Sequence, residues 1–200
     1  MHDEPEKIDR RAGRTQDALR KALIGLILEK RYDSITVQDI IDRANVGRST
    51  FYAHFKDQDD LFLRDIERVL NQVAQHIDWS NVSEPHCVPI RELFTHVQDF
   101  ERFFKALARS RKVDWFYRNG RRILAQCLET SLTKALVAGT RPGVPIPIIA
   151  NYLAGSMLDM LRWWVDHDMP ESPERMDQVF HELVLPGVRQ ALAGIEFKVN

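Results

Sequence analysis

Apolar residues recur three and four positions apart through most of the chain, and no stretch alternates with period two, so the pattern predicts an all-α protein. The sharpest instance lies near the front. Thr36 is a good helix cap and Asp39 follows at a spacing close to a capping box. Val37, Ile40, Ile41 and Ala44 then mark one helical face, which predicts a short helix from Thr36 to about Arg43. Ala44-Asn45-Val46-Gly47 reads as a tight turn: asparagine tolerates the left-handed backbone that ends a helix, Val46 can plug the gap, and Gly47 can cap the next helix. In the helix that follows, Phe51 and Phe55 are four apart and point inward. Arg48, Ser49, Thr50, Tyr52 and His54 stay outside or at the edges, with Lys56 just beyond.

The remaining pattern predicts further helices. One runs from about Thr15 to Lys30, buried through Leu19, Leu23, Leu26 and Ile27, and Tyr32 to Ser34 turns the chain into Thr36. A connector helix starts near Asp57 and reaches about Ile77, with Leu61, Ile66, Val69, Leu70 and Val73 as its stripe. After a loop over Ser80–Pro89 come a helix from Ile90 to about Ala108, a polar break at Arg109–Asp114, and a long helix from Trp115 to about Val137. The glycines and prolines of Gly139–Pro147 predict a loop, followed by a helix over Ile148–Asp166. The last helix is expected from Pro173 to about Leu185, interrupted by Pro186-Gly187 before a final turn through Leu192. Residues 1–13 read either as an arm able to reach an adjacent DNA groove or as a plain free terminus. The expected organisation is an arm and a three-helix unit over residues 1–56, then a helical bundle over 57–200.

Two features of the second half suggest its use. The Ile148–Asp166 segment carries Ile149, Ala150, Leu153, Ala154, Met157, Leu158, Leu161, Trp164 and Val165 on more than one face, and Val179, Phe180, Leu183 and Val184 follow suit. A helix apolar all round needs covering all round, so the expectation is that a second copy of the chain covers what one copy cannot. The middle helices are also rich in rings. Phe94, His96, Phe103, Phe104, Phe116, Gln126, Met160 and Trp163 are candidates to line a small-molecule cavity, against the simpler reading that the rings are core.

The segment 36–55 has the form of a helix-turn-helix, the motif that lays its second helix in the DNA major groove, and the exposed side chains of that helix suit base edges and phosphates. It resembles the DNA-binding domain of the TetR/AcrR (tetracycline-repressor-like) family of bacterial transcriptional regulators. The likeness rests on Thr36, Ile40, Ala44, Val46, Thr50, Tyr52, His54 and Phe55, and extends to Ala18, Leu19, Ala22 and Leu23 upstream and Leu61 downstream. The resemblance implies that Arg48, Thr50, Tyr52 and His54 face DNA, with Thr50 and Tyr52 on phosphates; Thr36, Ser49 and Lys56 complete the candidate DNA-binding set. It also implies a homodimer sealed by the last two helices, a near-palindromic operator, and a small-molecule effector that releases a repressor by population shift. The chain departs from the family pattern in three places. Asn45 stands for a glycine, Gly47 for a cap serine, and Gln58 for a phosphate-binding lysine that Lys56 could partly replace.

Charge refines this picture. The net charge is −1, and residues 1–66 hold 12 Lys/Arg against 13 Asp/Glu, so DNA affinity has to come from local placement rather than a basic coat. Asp57, Asp59 and Asp60 open the connector helix, where carboxylates suit the positive end of the helix dipole. The seven histidines are scattered, Gly155-Ser156 follows no strand, and Cys87 and Cys127 form no metal or redox motif, so neither an enzyme, a cofactor nor a metal is expected. Cys87 as a redox sensor is the remote exception. With no apolar run long enough to span a bilayer and a charged N-terminus, the expected location is the cytoplasm. The rival to an operator-binding regulator is the same scaffold without operator binding, acting through a protein partner.

Overall fold

A computed structural model describes residues 4–81, 88–137, 139–193 and 197, with backbone alone for 4–11 and 81. Cys87 and most of the loop expected at Ser80–Pro89 lie outside the described residues. Among the described residues the regular structure is helical. The helices are α1 (Glu4–Glu29), α2 (Val37–Ala44), α3 (Arg48–His54), α4 (Gln58–Gln75), α5 (Ile90–Asp99), α6 (Glu101–Ala108), α7 (Val113–Ala135), α8 (Ile146–Asp166), α9 (Pro173–Leu183) and α10 (Leu185–Ala191). Short 3-10 turns cover Tyr32–Ser34 and Trp79–Asn81, and one isolated antiparallel bridge joins Leu136 to Phe197. No helix of the described residues is long and apolar enough to cross a membrane.

Several boundaries differ from the sequence expectation. α1 begins at Glu4, so the stretch read as an arm is helical from that residue on. α8 likewise opens at Ile146 with Pro147 in its first turn, inside the segment expected to be loop. The helix expected over Ile90–Ala108 is two: Phe100, at φ −109° and ψ 29°, ends α5 and caps α6 without a proline or glycine to mark the break. Pro186 does divide the last helix, and sits in the first turn of α10.

Two cores form. The first gathers Leu19, Leu23, Leu26 and Ile27 of α1, Tyr32, Ile35, Ile40 and Ile41, Phe51 and Phe55, and Leu61 and Phe62 of α4. It also takes in Leu107 and Phe116 from the second half of the chain, with Phe103 and Trp115 packed against it. Tyr32, Phe62 and Phe116 meet ring to ring at 4.7–5.5 Å between centroids. This core therefore reaches past residue 56 into α4, α6 and α7. The second core is built from the later half of α4 (Leu70, Ala74), α5, and α7 to α10. α4 thus runs from one core into the other.

α8 is the central helix of the second core. Ile149, Ala150, Leu153, Ala154, Met157, Leu158, Leu161, Trp164 and Val165 are all buried within the single chain, as are Phe180 of α9 and Val184 just past its end. The expectation that these residues need a second copy to cover them is corrected: α7, packed so closely that a Cβ on Gly120 would come within 3.2 Å of Leu158, covers those of α8 together with α6, α10 and Phe94 of α5, and α5 also packs along α9. What the chain leaves open is Ile148, Tyr152 and Trp163 on α8, together with Leu183 on α9, which belongs to the set expected to need a second copy. α9 packs mainly on α5, and a recess of about 470 Å³ separates it from α8.

Candidate nucleic-acid interface

Local chemistry builds the helix-turn-helix as its sequence suggests. The Thr36 side chain accepts from the Asp39 N–H at 3.2 Å, and an Asp39 oxygen accepts from the Thr36 N–H at 2.7 Å, completing a capping box at the start of α2. The Lys30 ammonium, from the end of α1, adds a 2.8 Å contact to the same carboxylate. Lys30 first, then the Thr36 hydroxyl and N–H, hold the Asp39 carboxyl down at about 2. A carboxylate held below its ordinary 3.8 supports the fold fully above that pH and loses its contribution as pH falls toward about 2. An NMR titration of the Asp39 side chain should therefore give a midpoint near 2, and Asp39→Asn should fray the first turn of α2 at neutral pH; a midpoint at 3.8 would show that Lys30 and Thr36 do not hold it.

Asn45 closes α2 at φ 52° and ψ 49°, the left-handed conformation. Val46 N–H donates to the Ile41 carbonyl at 3.0 Å and Asn45 N–H to that of Asp42 at 3.2 Å, the paired closure of a Schellman motif. Gly47 caps α3 without a side-chain hydrogen bond. α3 has only seven residues, too few to hold a helix by propensity, and its anchor is Phe51, fully buried, with Phe55 beside it. Burial of one such ring contributes about 1.5–3 kcal/mol.

The outer face of α3 then presents Arg48, Ser49, Thr50 and Tyr52, all exposed, with Lys56 exposed just past its end and His54 half-buried beside the Gln16 amide. The Arg48 guanidinium lies 5.9 Å from the Tyr52 ring centre, so cation and phenol are presented together. Among the described residues neither Arg48 nor Lys56 has an acidic partner at ion-pair distance, which leaves both charges available to phosphates. Thr36 is exposed, but its hydroxyl is committed to the cap of α2.

The acids that opened α4 are all engaged. Asp57 accepts from the Asp60 N–H at 2.8 Å, Asp60 accepts from the Lys56 N–H at 3.0 Å and pairs with Arg64 at 3.1 Å, and Asp59 holds Lys112 at 2.7 Å. Gln58 turns inward, its amide donating to the Tyr32 carbonyl at 3.3 Å. Lys112 and the loop before it, which sequence reading passed over as a polar break, are thus part of the frame that carries α3. No periodic or spacing signal links positions 53 residues apart.

The candidate effector residues do not converge on one cavity. Phe94 is fully buried against Trp164, and Phe116 is a ring of the first core. Phe103 packs on that first core while Phe104 packs on the second. His96 is exposed at its edge beside Phe100, with the part of its imidazole that neighbouring side chains shield from water holding the ring below the usual pKa, and Gln126 is exposed and bonded to Arg122. Met160 and Trp163 are brought together, on the open recess between α8 and α9 with Asp159, Arg175, Val179 and Leu183.

Comparison with known proteins agrees with this architecture. Residues 19–64 match the family described as bacterial regulatory proteins, tetR family, and residues 89–185 match a transcriptional regulator C-terminal region of the same group. The chain is 36% identical over 76 residues to an uncharacterized HTH-type transcriptional regulator, YxbF of Bacillus subtilis, a stretch covering 38% of this chain and 20% of that protein. It is 28% identical over 101 residues to the HTH-type dhaKLM operon transcriptional activator DhaS of Lactococcus lactis, covering 45% of this chain and 54% of DhaS. The chain therefore spans only about a fifth and about half of the lengths of these curated relatives. A solved TetR transcriptional regulator from Streptococcus agalactiae superposes over 90% of this chain and 99% of its own, with a TM-score of 0.54 and 26% identity. The matched families and this fold are those of DNA-binding regulators and not of enzymes. With one family match on the helix-turn-helix and another on the bundle behind it, the chain belongs to the TetR family of transcriptional regulators.

Proposed function

We propose that this regulator binds a near-palindromic duplex operator as a homodimer in the cytoplasm, with α3 of each copy in the major groove, and that a small-molecule effector releases it as a repressor. The observation that carries the reading is the outer face of α3: Arg48, Ser49, Thr50 and Tyr52 exposed together on a helix whose other side is anchored by Phe51. Arg48 and Ser49 are assigned to base edges, Thr50, Tyr52 and Lys56 to phosphates, and His54 to the groove edge. The dimer is assigned to the open stripe of Ile148, Tyr152, Trp163 and Leu183, an apolar surface on two adjacent helices that a two-fold partner would bury against its own copy. Two-fold pairing sets the reading helices for half-sites about 34–36 Å apart or a multiple of it.

The effector is assigned to the helical domain, where ligand binding would favour a dimer whose two α3 helices are wrongly spaced for the operator; a coupling of about 1–3 kcal/mol suffices. Similarity to DhaS, named as an activator, favours a second reading in which the bound dimer raises transcription. The test is selection of bound sites from random duplex DNA, followed by a reporter assay on the site found, with and without candidate metabolites. A regulator yields one near-palindrome whose affinity falls steeply with salt. A chain that enriches no sequence has lost operator binding and acts through another protein. Lower reporter output in the presence of the protein marks a repressor, and higher output an activator.

A further inference from the structure

The junction between the two cores is held by a polar clamp. Lys112, the residue that caps α7, places its ammonium 2.7 and 2.9 Å from the two Asp59 oxygens in the first turn of α4. The same ammonium lies 5.5 Å from the ring centres of Tyr32 and of Trp115. The Tyr32 hydroxyl donates to Asp59 at 2.7 Å, and burial first, then that hydrogen bond, keeps it protonated. One residue along, Asp33 accepts from the Arg111 N–H at 3.0 Å and from the Ser110 hydroxyl at 3.2 Å. Gln58 completes the set through the Tyr32 carbonyl.

The placement of these contacts matters more than their number. α4 joins the first core through Leu61 and Phe62 and the second through Leu70 and Ala74, with Leu63 packed on the second and Ile66 on both, so bonds made at its first turn bear on how the DNA-reading head sits on the helical domain. The 3-10 turn Tyr32–Ser34 leads into α2 through Ile35 and Thr36, and α2 carries α3. α7, which Lys112 caps, packs along α8. The buried rings of Phe62 and Phe116 make the two parts adhere, but apolar contact is not directional. The carboxylate–ammonium pair and the Asp33 bonds are directional, and they fix an angle.

We infer that Lys112 is a positioning residue for operator recognition: seated between the Asp59 carboxylate and the faces of Tyr32 and Trp115, it sets the angle at which the helical domain carries α3, with Asp33 sharing the task. This rests on the DNA-reading role proposed above. It assigns the position where the family pattern has a phosphate-binding lysine, here Gln58, to the inner frame and not to the DNA.

Two measurements on the full chain test it, using Lys112→Met, which keeps the stem over the rings and removes the charge, and Lys112→Arg, which keeps the charge. The first is amide hydrogen exchange. Lys112→Met should speed exchange in segments 32–36, 57–62 and 109–116 and leave α9 unchanged. The second is affinity, across a salt series, for the duplex that the wild-type chain selects from a random pool, measured where both variants retain full helicity. With two clamps per dimer, each partly exposed, Lys112→Met should weaken binding by about tenfold. The slope of log affinity against log salt should not change, because no phosphate contact is lost. Lys112→Arg should restore most of the affinity. Wild-type exchange or wild-type affinity in Lys112→Met overturns the inference, and so does a shallower salt slope, which would make Lys112 a direct phosphate ligand. Should the wild-type chain select no duplex, the DNA-reading role fails on its own; unprotected junction segments in Lys112→Met then still uphold the clamp, and protected ones still overturn it.

Discussion

Tyr52→Ala is expected to lower affinity for the selected duplex by about 100-fold or more, since each lost contact costs about 1–3 kcal/mol and a dimer loses two. The fold and the dimer should be untouched. Tyr52 is 49% exposed, and its ring lies edge-on to Phe51 and near the Arg48 guanidinium. Fluorescence anisotropy on the labelled duplex, with sedimentation run on the same sample, reads both outcomes. The contrast with Phe51 sharpens the result. Removing that fully buried ring should cost about 3–5 kcal/mol of stability and disorder α3 altogether. Binding by Tyr52→Ala at wild-type strength would mean that α3 is not the reading helix.

Leu183→Glu is expected to convert the protein to a folded monomer. Leu183 is 71% exposed in the single chain and lies on α9 across the recess from Trp163 of α8. On a two-fold interface each new carboxylate lies near its own symmetry copy, and an uncompensated buried charge costs about 3–5 kcal/mol. The helical signal should be retained, because Leu183 contributes to neither core. Affinity for the full operator should fall toward that for one half-site. Analytical ultracentrifugation of wild type and variant decides the matter: a wild-type monomer, or a dimeric Leu183→Glu, would place the interface elsewhere or nowhere.

The parts of this structure that could be read from sequence are those set by neighbours a few residues apart. The capping box needed only Thr36 and Asp39, the turn only Asn45, and the inward anchor only the four-residue spacing of Phe51 and Phe55. All three are short-range chemistry, and all three are present. The breaks without a local signature were not legible. Phe100 carries nothing that distinguishes it from a mid-helix residue, and the start of α1 lay hidden because a charged helix without an apolar stripe has no period to detect.

Faces were harder still. The apolar residues of α8 marked it as a helix to be covered but not which neighbour covers each one, because whether Leu161 is buried and Trp163 left open depends on where α7 lies. The aromatic residues pose the same difficulty. Phe103 and Phe104 are adjacent in sequence yet serve different cores, and Phe116 crosses from the second half of the chain into the first core. The clamp at Lys112 was the least legible element, since it joins single polar residues from three distant segments.

The self-sufficiency of α8 has a bearing on how such a switch behaves in a cell. In the homodimer proposed above, a subunit whose greasy centre is closed by its own helices would separate from its twin without exposing that centre, and pairing would be a reversible encounter between finished bodies. Occupancy of a double site then rises with the square of copy number while most subunits are single, and flattens once they are paired. Under that proposal a modest change in synthesis would move the promoter sharply at low abundance and hardly at all at high abundance, a threshold that needs no effector.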